Sequence, residues 1–419
     1  MFQAPRGTQD ILPQEQPYWS FLKEKAEALA RLYGYERIDT PVFEDSGLFM
    51  RTVGVGTDIV EKEMYTFADR SGDQMTLRPE GTASVCRAYI EHGMTSCSQP
   101  VKLFYQAPIF RYERPQAGRY RQHHQFGFEA IGDGDASLDA EVIDMAWHFF
   151  TVELGLRNLT LQVNSIGCQQ CRPVYLSKLK EYYSDHKDAL CDDCKVRLEK
   201  NTLRLLDCKS RACQPLTEGA PRSVDHLCQE CYDHFEQLKT NLRTLQLPFE
   251  INSRMVRGLD YYTKTVFEIQ PEEERGQSTI AGGGRYDGLM SELGAKLTPA
   301  VGFATGIERI ILNLKRQNVI IPDVRKPVVF VAWLGDAARQ VAIKTASELR
   351  RVNIAALTTY TPRSLKAQLR QADGSGCHFV AIIGEEEVAQ GVVTLRDLQT
   401  AQQEPIALEQ LAERLLLIH

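Results

Sequence analysis

Two neighbouring segments of the chain carry polar side chains in an alternating pattern. Residues 103–113 and 124–131 are each typical of a strand, and a polar loop joins them. Side chains alternate between the two faces of a strand, so one sheet face should collect a guanidinium, carboxylates and an amide. A solvated polar face explains any one of these residues but does not explain the whole set. The residues concerned are Arg111, Glu113, Gln125 and Glu129.

A second polar group lies before a predicted helix, in the segment Thr76-Leu77-Arg78-Pro79-Glu80-Gly81-Thr82. A hydroxyl at a helix start can cap the first turn, and capping is the interpretation that the spacing favours for Thr82. For Glu80 the spacing leaves two roles open. The carboxylate either caps the helix or binds the ammonium group of a ligand.

Three further segments combine glycines with charged or aromatic residues, at 257–262, 281–289 and 302–309. The three glycines at 282–284 lack the lysine of a phosphate-binding P-loop, and they favour close approach of the backbone to a ligand. Arg309 is expected in the first turn of a helix, where it is either a surface residue or a clamp for a nucleotide.

Eight of the eleven cysteines lie between Cys168 and Cys231. Their paired spacing is typical of structural zinc sites, and eight thiolates would fill two tetrahedral sites or one site with thiols to spare. The alternative is a small helical domain in which reduced thiols pack together. The pairs are Cys168 and Cys171, Cys191 and Cys194, Cys208 and Cys213, and Cys228 and Cys231.

The elements that must position these residues follow from periodicity. An amphipathic helix is predicted over 14–33, ending at Gly34, and a second long helix over 138–154 with Ser137 as its cap. Short strands lie between and after these helices, including one over 279–281. Beyond a linker at 318–326, strands and helices alternate, which is typical of a compact α/β module. The fold class expected is α/β, with an antiparallel sheet, flanking helices and a helical insertion.

Composition narrows the class of protein. The 419 residues are 43% hydrophobic and 25% charged, which is typical of a globular chain. No apolar run is long enough for a bilayer, and residues 1–12 lack the apolar core of a secretory signal, so a cytoplasmic location is expected. The net charge of −6 argues against nucleic-acid binding through bulk charge alone, so any such binding requires local basic surface.

The motifs together resemble the bacterial type of histidyl-tRNA synthetase, a class II aminoacyl-tRNA synthetase, from Arg6-Gly7-Thr8 to the C-terminus. The segment Phe110-Arg111-Tyr112-Glu113-Arg114-Pro115 is similar to motif 2 of the class, residues 302–309 to motif 3, and the surroundings of Thr40-Pro41 to motif 1. The signatures specific for histidine are Arg257-Gly258-Leu259-Asp260-Tyr261-Tyr262-Thr263 and residues 282–289.

The resemblance implies a reaction and its partners. Histidine and ATP, with Mg²⁺, form histidyl-adenylate and pyrophosphate, and the histidyl group passes to the 3′ end of tRNA(His). A homodimer is implied, with motif 1 at its interface. The resemblance implies catalysis by Arg257 and Arg111, ATP binding by Arg111, Glu113 and Arg309, and histidine binding by Glu80, Gly81, Thr82, Gln125, Glu129, Tyr261, Tyr262 and Tyr286.

The same resemblance implies a catalytic domain over 1–325, interrupted by a helical cysteine-rich insertion at 168–245, and an α/β anticodon-binding domain over 326–419.

Two alternative functions come from other classes of protein. A non-catalytic paralogue, such as the regulatory subunit of ATP phosphoribosyltransferase, would not need the intact signature at 257–263 or the C-terminal module. A pure RNA-binding module would not need the paired carboxylates of the polar sheet face.

Local basic surface is predicted in two places. The loop 114–121 carries three arginines beside the polar sheet face. The C-terminal module carries basic residues near its helices, where they can reach phosphates or unstacked bases of an RNA. These residues are Arg339, Lys344, Arg350, Arg351, Arg363, Lys366 and Arg370.

Overall fold

The computed structural model describes residues 2–54, 57, 59–116, 118–208, 210–272, 279–322 and 329–417. The backbone forms two compact units, Met1–Ile321 and Pro322–His419. Each unit is described by itself.

The first unit combines helices and strands along its whole length. Its strands are β1 (Glu36–Arg37), β2 (Phe43–Asp45), β3 (Tyr65–Ala68), β4 (Gln74–Leu77), β5 (Val101–Phe110), β6 (Gln122–Ile131), β7 (Leu159–Ser165), β8 (Phe249–Ile251), β9 (Thr263–Pro271), β10 (Ala281–Arg285) and β11 (Ala300–Gly306). Its helices are α1 (Gln16–Leu32), α2 (Ser46–Val53), α3 (Thr82–Glu91), α4 (Ala136–His148), α5 (Arg172–Asp185), α6 (Asp192–Lys200), α7 (Gln214–Gly219), α8 (Gln229–Thr244), α9 (Leu289–Glu292) and α10 (Ile307–Arg316).

Among the residues described, eight strands form one large sheet in the order β1-β5-β6-β11-β10-β9-β7-β8, and β2-β4-β3 form a small one. Neighbours in the large sheet are antiparallel, except for the parallel edge pairs β1–β5 and β7–β8. The register places Glu129 on β6 opposite Gly302 on β11. The predicted fold class, a mixed α/β chain with an antiparallel sheet, is confirmed.

Helices cover one face of the large sheet and leave part of the other face open. On the covered face, α1 and α4 pack their apolar sides against aromatic residues of the sheet. Phe128 of β6 and Phe303 of β11 stack there with ring centroids 5.0 Å apart. Burial of these large side chains anchors the central strands, and the polar residues on the opposite side of the same strands therefore hold fixed positions.

Three predicted boundaries differ from those observed. The strand predicted over 103–113 ends at Phe110, because the backbone N–H of Tyr112 donates to Glu63 instead of a neighbouring strand. The second long helix is capped by Asp135 and not by Ser137. The Asp135 carboxylate accepts from the Ser137 backbone N–H at 2.8 Å, and Ser137 already lies inside the helix. The strand predicted over 279–281 begins at Ala281.

The cysteine-rich insertion is helical, as its sequence predicts, and contains α5 to α8. It has a small apolar core of its own, built around Leu179, Tyr183 and Leu198. Val256, next to the signature residue Arg257, packs against that core. The insertion is therefore in direct contact with a segment that the sequence marks as functional.

The second unit is a small α/β module. Its elements are β12 (Val329–Trp333), α11 (Asp336–Arg351), β13 (Ala356–Thr358), α12 (Leu365–Gly374), β14 (Phe379–Ile383), α13 (Glu385–Gln390), β15 (Val392–Asp397), β16 (Gln403–Ala407) and α14 (Leu411–Leu417). Among its described residues, five strands form a sheet in the order β13-β12-β14-β15-β16, in which β12 is parallel to both of its neighbours. In the described parts of the chain, no helix is both long and apolar enough to cross a membrane.

Candidate active site

The open face of the large sheet carries a cavity of about 970 Å³. Its size lies at the upper end of the usual range for ligand cavities, about 300–1,000 Å³. Every site residue that the sequence predicts lines this one cavity, although the residues come from six separate segments of the chain. They are Glu80, Gly81, Thr82, Arg111, Glu113, Gln125, Glu129, Arg257, Tyr261, Tyr262, Tyr286 and Arg309.

Glu129 is the most enclosed carboxylate of the cavity, with 1% of its surface exposed. Thr82 Oγ1 donates to its Oε1 at 2.7 Å, and the Tyr286 hydroxyl donates to its Oε2 at 2.5 Å. Burial raises the pKa of Glu129 to about 8, although both hydrogen bonds act to lower it. Gly302 makes room for this carboxylate, since a Cβ there would lie 2.0 Å from Oε2.

Glu80, and not Thr82, caps helix α3, which is one of the two roles that the spacing leaves open for Glu80. The Glu80 carboxylate accepts from the backbone N–H groups of Thr82 and Ala83, at 2.7 and 2.8 Å, and so caps α3. The prediction that Thr82 caps this helix is wrong, because Thr82 is already its first residue and its hydroxyl points to Glu129. Burial raises the pKa of Glu80, which still lines the cavity and keeps free lone pairs for a ligand.

Tyr105 forms part of the cavity wall and is absent from the sequence-based set. Its ring lies against two glycines, since a Cβ on Gly81 or Gly127 would lie 2.3 or 2.0 Å from the ring. Gly127 is directly opposite Tyr105 on the neighbouring strand, so the glycine between Gln125 and Glu129 was the available signal. Among the described residues, the Tyr105 hydroxyl is a buried polar atom without a hydrogen-bond partner. A ligand in the cavity would satisfy it.

Arg111 and Glu113 lie on a loop, where the sequence predicts a strand. Arg111 Nε donates to the Pro79 carbonyl at 2.7 Å, and one Arg111 nitrogen lies 3.9 Å from a Glu113 carboxylate oxygen. Arg119 donates to Glu113 at 3.1 Å. The expected shared face of Arg111 and Glu113 is therefore replaced by a loop held through ion pairs. Both residues still line the cavity.

Arg309 lies in the first turn of α10 and reaches the cavity, so it is not simply a surface residue. Its Nη1 donates to the Thr279 carbonyl at 2.6 Å, and its Nε donates to the Gly118 carbonyl at 3.3 Å. Burial and the nearby charge of Arg119 lower the pKa of Arg309, a sign that cationic groups are crowded here. An anionic ligand group would relieve that repulsion.

Arg257 is held by Glu268 of β9, which also accepts a hydrogen bond from the Thr279 hydroxyl at 2.9 Å. Burial acts to lower the pKa of Arg257, but the charge of Glu268 and the interactions with Tyr262 together leave the pKa raised. Within the described parts of the chain, the Arg257 Nε is buried and has no hydrogen-bond partner. A Cβ on Gly282 would lie 2.4 Å from the guanidinium nitrogens, so a side chain at this position would displace the Arg257 guanidinium.

The glycine triplet forms strand β10 and not a ligand loop. Gly283 packs against the Gly302 carbonyl, and Gly284 packs against the Thr265 carbonyl, at distances that no Cβ would tolerate. The predicted close approach therefore occurs between parts of the protein itself. Of the three, Gly282 also lines the cavity.

His123 is another lining residue that the sequence did not single out. Burial, and then the positive charge of Arg111, lower the pKa of His123 to about 3. The ring is thus neutral near pH 7, and it adds a donor and an acceptor without adding charge. A histidine at the start of a polar strand gives no signal of this kind in the sequence, because its neutrality depends on burial and on the arginines that the fold brings near it.

The cavity thus has a cationic region, with Arg111, Arg119 and Arg309, and an enclosed carboxylate region around Glu80 and Glu129. The first suits phosphate groups, for which guanidinium is a strong donor. The second suits a compact polar ligand with N–H groups. Arg257 lines the same cavity, and its unpartnered Nε is available to a ligand. The arrangement can therefore bind an anionic nucleotide beside an amino acid.

Comparison with known proteins gives the family. The model of the histidyl-tRNA synthetase family matches residues 7–171 and 196–310, and that of an anticodon binding domain matches residues 328–417. A histidine–tRNA ligase of Dehalococcoides mccartyi is 61% identical over 411 residues, which cover 98% of each chain. The chain belongs to the histidyl-tRNA synthetase family. The predicted family and its class of activity, an aminoacyl-tRNA ligase, are confirmed, and the regulatory paralogue is not supported.

Two further members of the histidyl-tRNA synthetase family are similar to this chain over nearly its whole length. A histidine–tRNA ligase of Desulforamulus reducens is 50% identical over 407 residues, or 97% of each chain. The crystal structure of apo histidyl-tRNA synthetase from S. aureus superposes with a TM-score of 0.83 at 37% identity, over 99% of this chain and 100% of that one. The similarity includes both units of the fold.

Proposed function

We propose that the cavity activates histidine with ATP and that the chain then transfers the histidyl group to tRNA(His). ATP would enter with Mg²⁺ as its companion. Arg111 would bind the α-phosphate, Arg309 the γ-phosphate, and Glu113 the amino group of adenine. The cationic region formed by Arg111, Arg119 and Arg309 supports this placement, because three guanidinium groups lie there and the one carboxylate of Glu113 pairs with two of them.

The enclosed carboxylate region is the proposed site for histidine. A neutral imidazole carries one donor and one acceptor nitrogen, so its site must offer both kinds of partner. Glu129 would accept from the imidazole N–H, and a tyrosine hydroxyl would serve the other nitrogen. Glu80, Thr82 and Gln125 would accept from the ammonium group, while Gly81 leaves space beside the Tyr105 ring.

This histidine site excludes apolar amino acids. An apolar side chain would leave the buried groups of Glu129 and Tyr286 without new partners, at a cost in free energy that raises selectivity strongly. Of the three tyrosines proposed for the imidazole, Tyr286 already bonds to Glu129. Tyr261 and Tyr262 pack beside it, with their ring centroids 4.7 Å apart and their planes tilted by 49°, and they complete the aromatic wall.

The chemical step needs no side-chain nucleophile, because the carboxylate of histidine attacks the α-phosphorus of ATP and pyrophosphate leaves. Negative charge develops on the phosphoryl oxygens in the transition state. Arg257 and Arg111 would stabilise that charge, which is an electrostatic contribution of a fixed and largely buried donor. The single observation that carries the proposal is the convergence of all these residues on one cavity.

The tRNA would be bound through two local basic surfaces. Arg119 and Arg121 lie on the loop at the cavity, and Arg121 packs over the Tyr112 ring at 3.7 Å. In the second unit, Arg339 and Arg350 lie on α11, and Lys366 and Arg370 lie on α12. We assign the anticodon contact to this unit, which includes the anticodon-binding domain expected over 326–419.

A homodimer is proposed through the small sheet that follows Thr40-Pro41. Arg78 donates to the carbonyls of Thr40 and Pro41, at 2.9 and 3.2 Å, and so fixes this segment. Phe43 and Phe67 of that sheet are 52% and 43% exposed, and their rings are in contact. A second chain would bury them. One chain has a mass of 47.4 kDa, and sedimentation should give twice this value. The mass of a single chain would exclude the dimer.

We propose zinc as a structural metal of cysteines 168–231. The proposed compartment is the cytoplasm, since tRNA charging occurs there and the cysteines are free thiols, which a reducing compartment maintains. The activity itself is tested by exchange of pyrophosphate into ATP in the absence of tRNA. Exchange that depends on histidine supports the proposal. A chain that binds tRNA but supports no exchange would instead be an RNA-binding module.

A further inference from the structure

The eight cysteines of the insertion form two separate clusters in space. Each cluster contains two of the four sequence pairs, and within each cluster all sulfur atoms lie within 4.8 Å of one another. The base cluster is Cys168, Cys171, Cys228 and Cys231. The tip cluster is Cys191, Cys194, Cys208 and Cys213.

The sulfur spacing matches one tetrahedral ion in each cluster. Cys168 Sγ lies 3.8 Å from the sulfurs of both Cys171 and Cys228, and Cys191 Sγ lies 3.8 Å from that of Cys208. Four thiolates around zinc, each at about 2.3 Å, place their sulfurs about 3.8 Å apart. A disulfide requires about 2.05 Å, and an iron–sulfur cluster would separate its thiolates further because several atoms lie between them.

Backbone geometry supports thiolates in both clusters. The N–H of Cys168 donates to Cys171 Sγ at 3.2 Å, and the N–H of Cys191 donates to Cys213 Sγ at 3.3 Å. Such donors stabilise negative sulfur. Gly167 precedes the base cluster with φ of +73°, and a Cβ there would lie 2.6 Å from Cys171 Sγ. The backbone at Gly167 therefore lies in direct contact with the Cys171 sulfur.

We propose that the insertion binds two Zn²⁺ ions with different tasks, one at its base and one at its tip in the wall of the active-site cavity. Each ion would be held by four thiolates, so four thiols release their protons for each ion bound. The assignment of the tip ion to the substrate cavity rests on the function proposed above. The presence of the two ions does not.

The base ion would fasten both ends of the insertion to the catalytic sheet. Cys168 and Cys171 follow strand β7, and Cys228 and Cys231 lie at the start of α8, 60 residues apart in sequence. Arg172, directly after Cys171, donates from Nη1 to the carbonyls of Asp260 and Tyr262, at 3.4 and 3.1 Å. The base cluster is thereby connected to the segment that carries Arg257 and the tyrosines of the cavity.

The tip ion would hold one side of the cavity itself. Cys191 and Cys208 line the cavity, and so do Arg197, Arg204 and Leu206 from the segment between them. Cys194 and Cys213 are buried in the small core of the insertion, with Leu198 and Leu205. Without the ion, this wall would depend on that small core alone, so its lining residues would be held less firmly.

Metal content of the purified full-length protein tests the two ions directly. We expect two zinc ions per chain, falling to one in Cys168→Ser/Cys228→Ser and to one in Cys191→Ser/Cys208→Ser. The control variant Cys97→Ser/Cys377→Ser alters cysteines outside both clusters and should keep two. Protein produced with cobalt should bind two Co²⁺ ions with the visible absorption of tetrahedral thiolate sites, which covers the case of a variant that fails to fold.

A second readout separates the tasks of the ions. Loss of the tip ion should raise the KM for ATP or histidine in the exchange reaction several-fold, with the zinc at the base retained. Three results would overturn the two-ion proposal. They are less than one zinc per chain with all eight thiols reactive in the native protein, one zinc per chain held at a single cluster, and iron in place of zinc. Loss of the tip zinc with both KM values unchanged overturns its role in the cavity wall. Wild-type protein with two zinc ions but no exchange would contradict the proposed function and leave the metal sites standing.

Discussion

The Tyr286 hydroxyl donates a hydrogen bond to the Glu129 carboxylate, with 2.5 Å between Oη and Oε2, in the most enclosed part of the cavity. Both side chains are almost completely buried. Since Thr82 donates to the other carboxylate oxygen, Glu129 is fixed in position before any ligand binds. A preformed acceptor of this kind favours selective binding of a ligand N–H, because little freedom remains to be lost.

Glu129→Gln should weaken histidine binding selectively. The amide keeps the size of the carboxyl group but cannot lose a proton to present two acceptor oxygens, so it cannot accept from Thr82, Tyr286 and an imidazole N–H together. The KM for histidine should rise at least tenfold, which corresponds to about 1.4 kcal/mol, while the KM for ATP changes little. Equal rises in both values would show that Glu129 supports the whole sheet face and not the imidazole site.

Glu129 should also make stability depend on pH. Burial raises its pKa from 4.5 to about 8, so between these values the folded chain keeps a proton that the unfolded chain has lost. The stability contributed by that proton is complete below the unfolded value and is lost as the pH rises towards the folded value. The melting temperature of Glu129→Gln, relative to wild type, should therefore increase steadily across this interval. A difference that does not vary with pH would contradict the raised pKa.

Arg257→Ala should slow adenylate formation. Removing a fixed donor near the developing charge should cost about 3–4 kcal/mol of transition-state stabilisation, by comparison with the removal of an oxyanion-hole donor. The loss should appear in kcat of histidine-dependent exchange, with the KM for ATP altered far less. Near-normal exchange in this variant would exclude Arg257 from catalysis.

A matched double variant distinguishes the loss of the Arg257 guanidinium from the effect of leaving the Glu268 carboxylate unpaired. Arg257→Ala leaves the Glu268 carboxylate with the Thr279 hydroxyl but without its cation. The double variant Arg257→Ala/Glu268→Gln removes that unpaired charge. We expect the low kcat to persist in the double variant, whereas recovery of exchange would show that repulsion by Glu268 caused the loss.

Much of the fold and of the site was accessible from the sequence, because the relevant signals are local. The strand alternation that includes Gln125 and Glu129 and the helix at 14–33 depend on nearby residues, and the observed elements follow them closely. The partners of these residues depend on tertiary structure. Spacing predicts that Thr82 caps helix α3, but Glu80 provides that cap. Thr82 instead donates to Glu129, 47 residues further on, and only the folded chain brings these two residues together.

Some site residues could not be predicted from the sequence for the same reason, because their roles depend on tertiary structure. Tyr105 and Glu268 lie on strands as ordinary members of an alternating pattern, and they become functional candidates only through the neighbours that pairing gives them. Tyr105 packs against glycines of two other segments, and Glu268 pairs with Arg257 from the preceding turn. The cysteine spacing indicated metal binding, but which pairs combine into one cluster required the fold.

A chain ending at Ile321 should separate activation of histidine from charging of tRNA. The cavity lies entirely in the first unit, so histidine-dependent exchange should continue as long as the shortened chain keeps the oligomeric state of the full chain. Aminoacylation should fall sharply, and binding of tRNA should depend less steeply on salt, because phosphate contacts are removed. Aminoacylation at the rate of the full chain would exclude the second unit as the anticodon reader.

The most direct test of the account is a crystal structure of the full-length protein with histidine and a non-hydrolysable ATP analogue. The imidazole should lie in the enclosed region, with one ring nitrogen about 2.6–3.2 Å from a Glu129 carboxylate oxygen. The triphosphate should lie among Arg111, Arg257 and Arg309. Histidine bound with its imidazole away from Glu129, or a triphosphate that contacts none of the three arginines, would contradict the assignment of this cavity as the site of histidine activation.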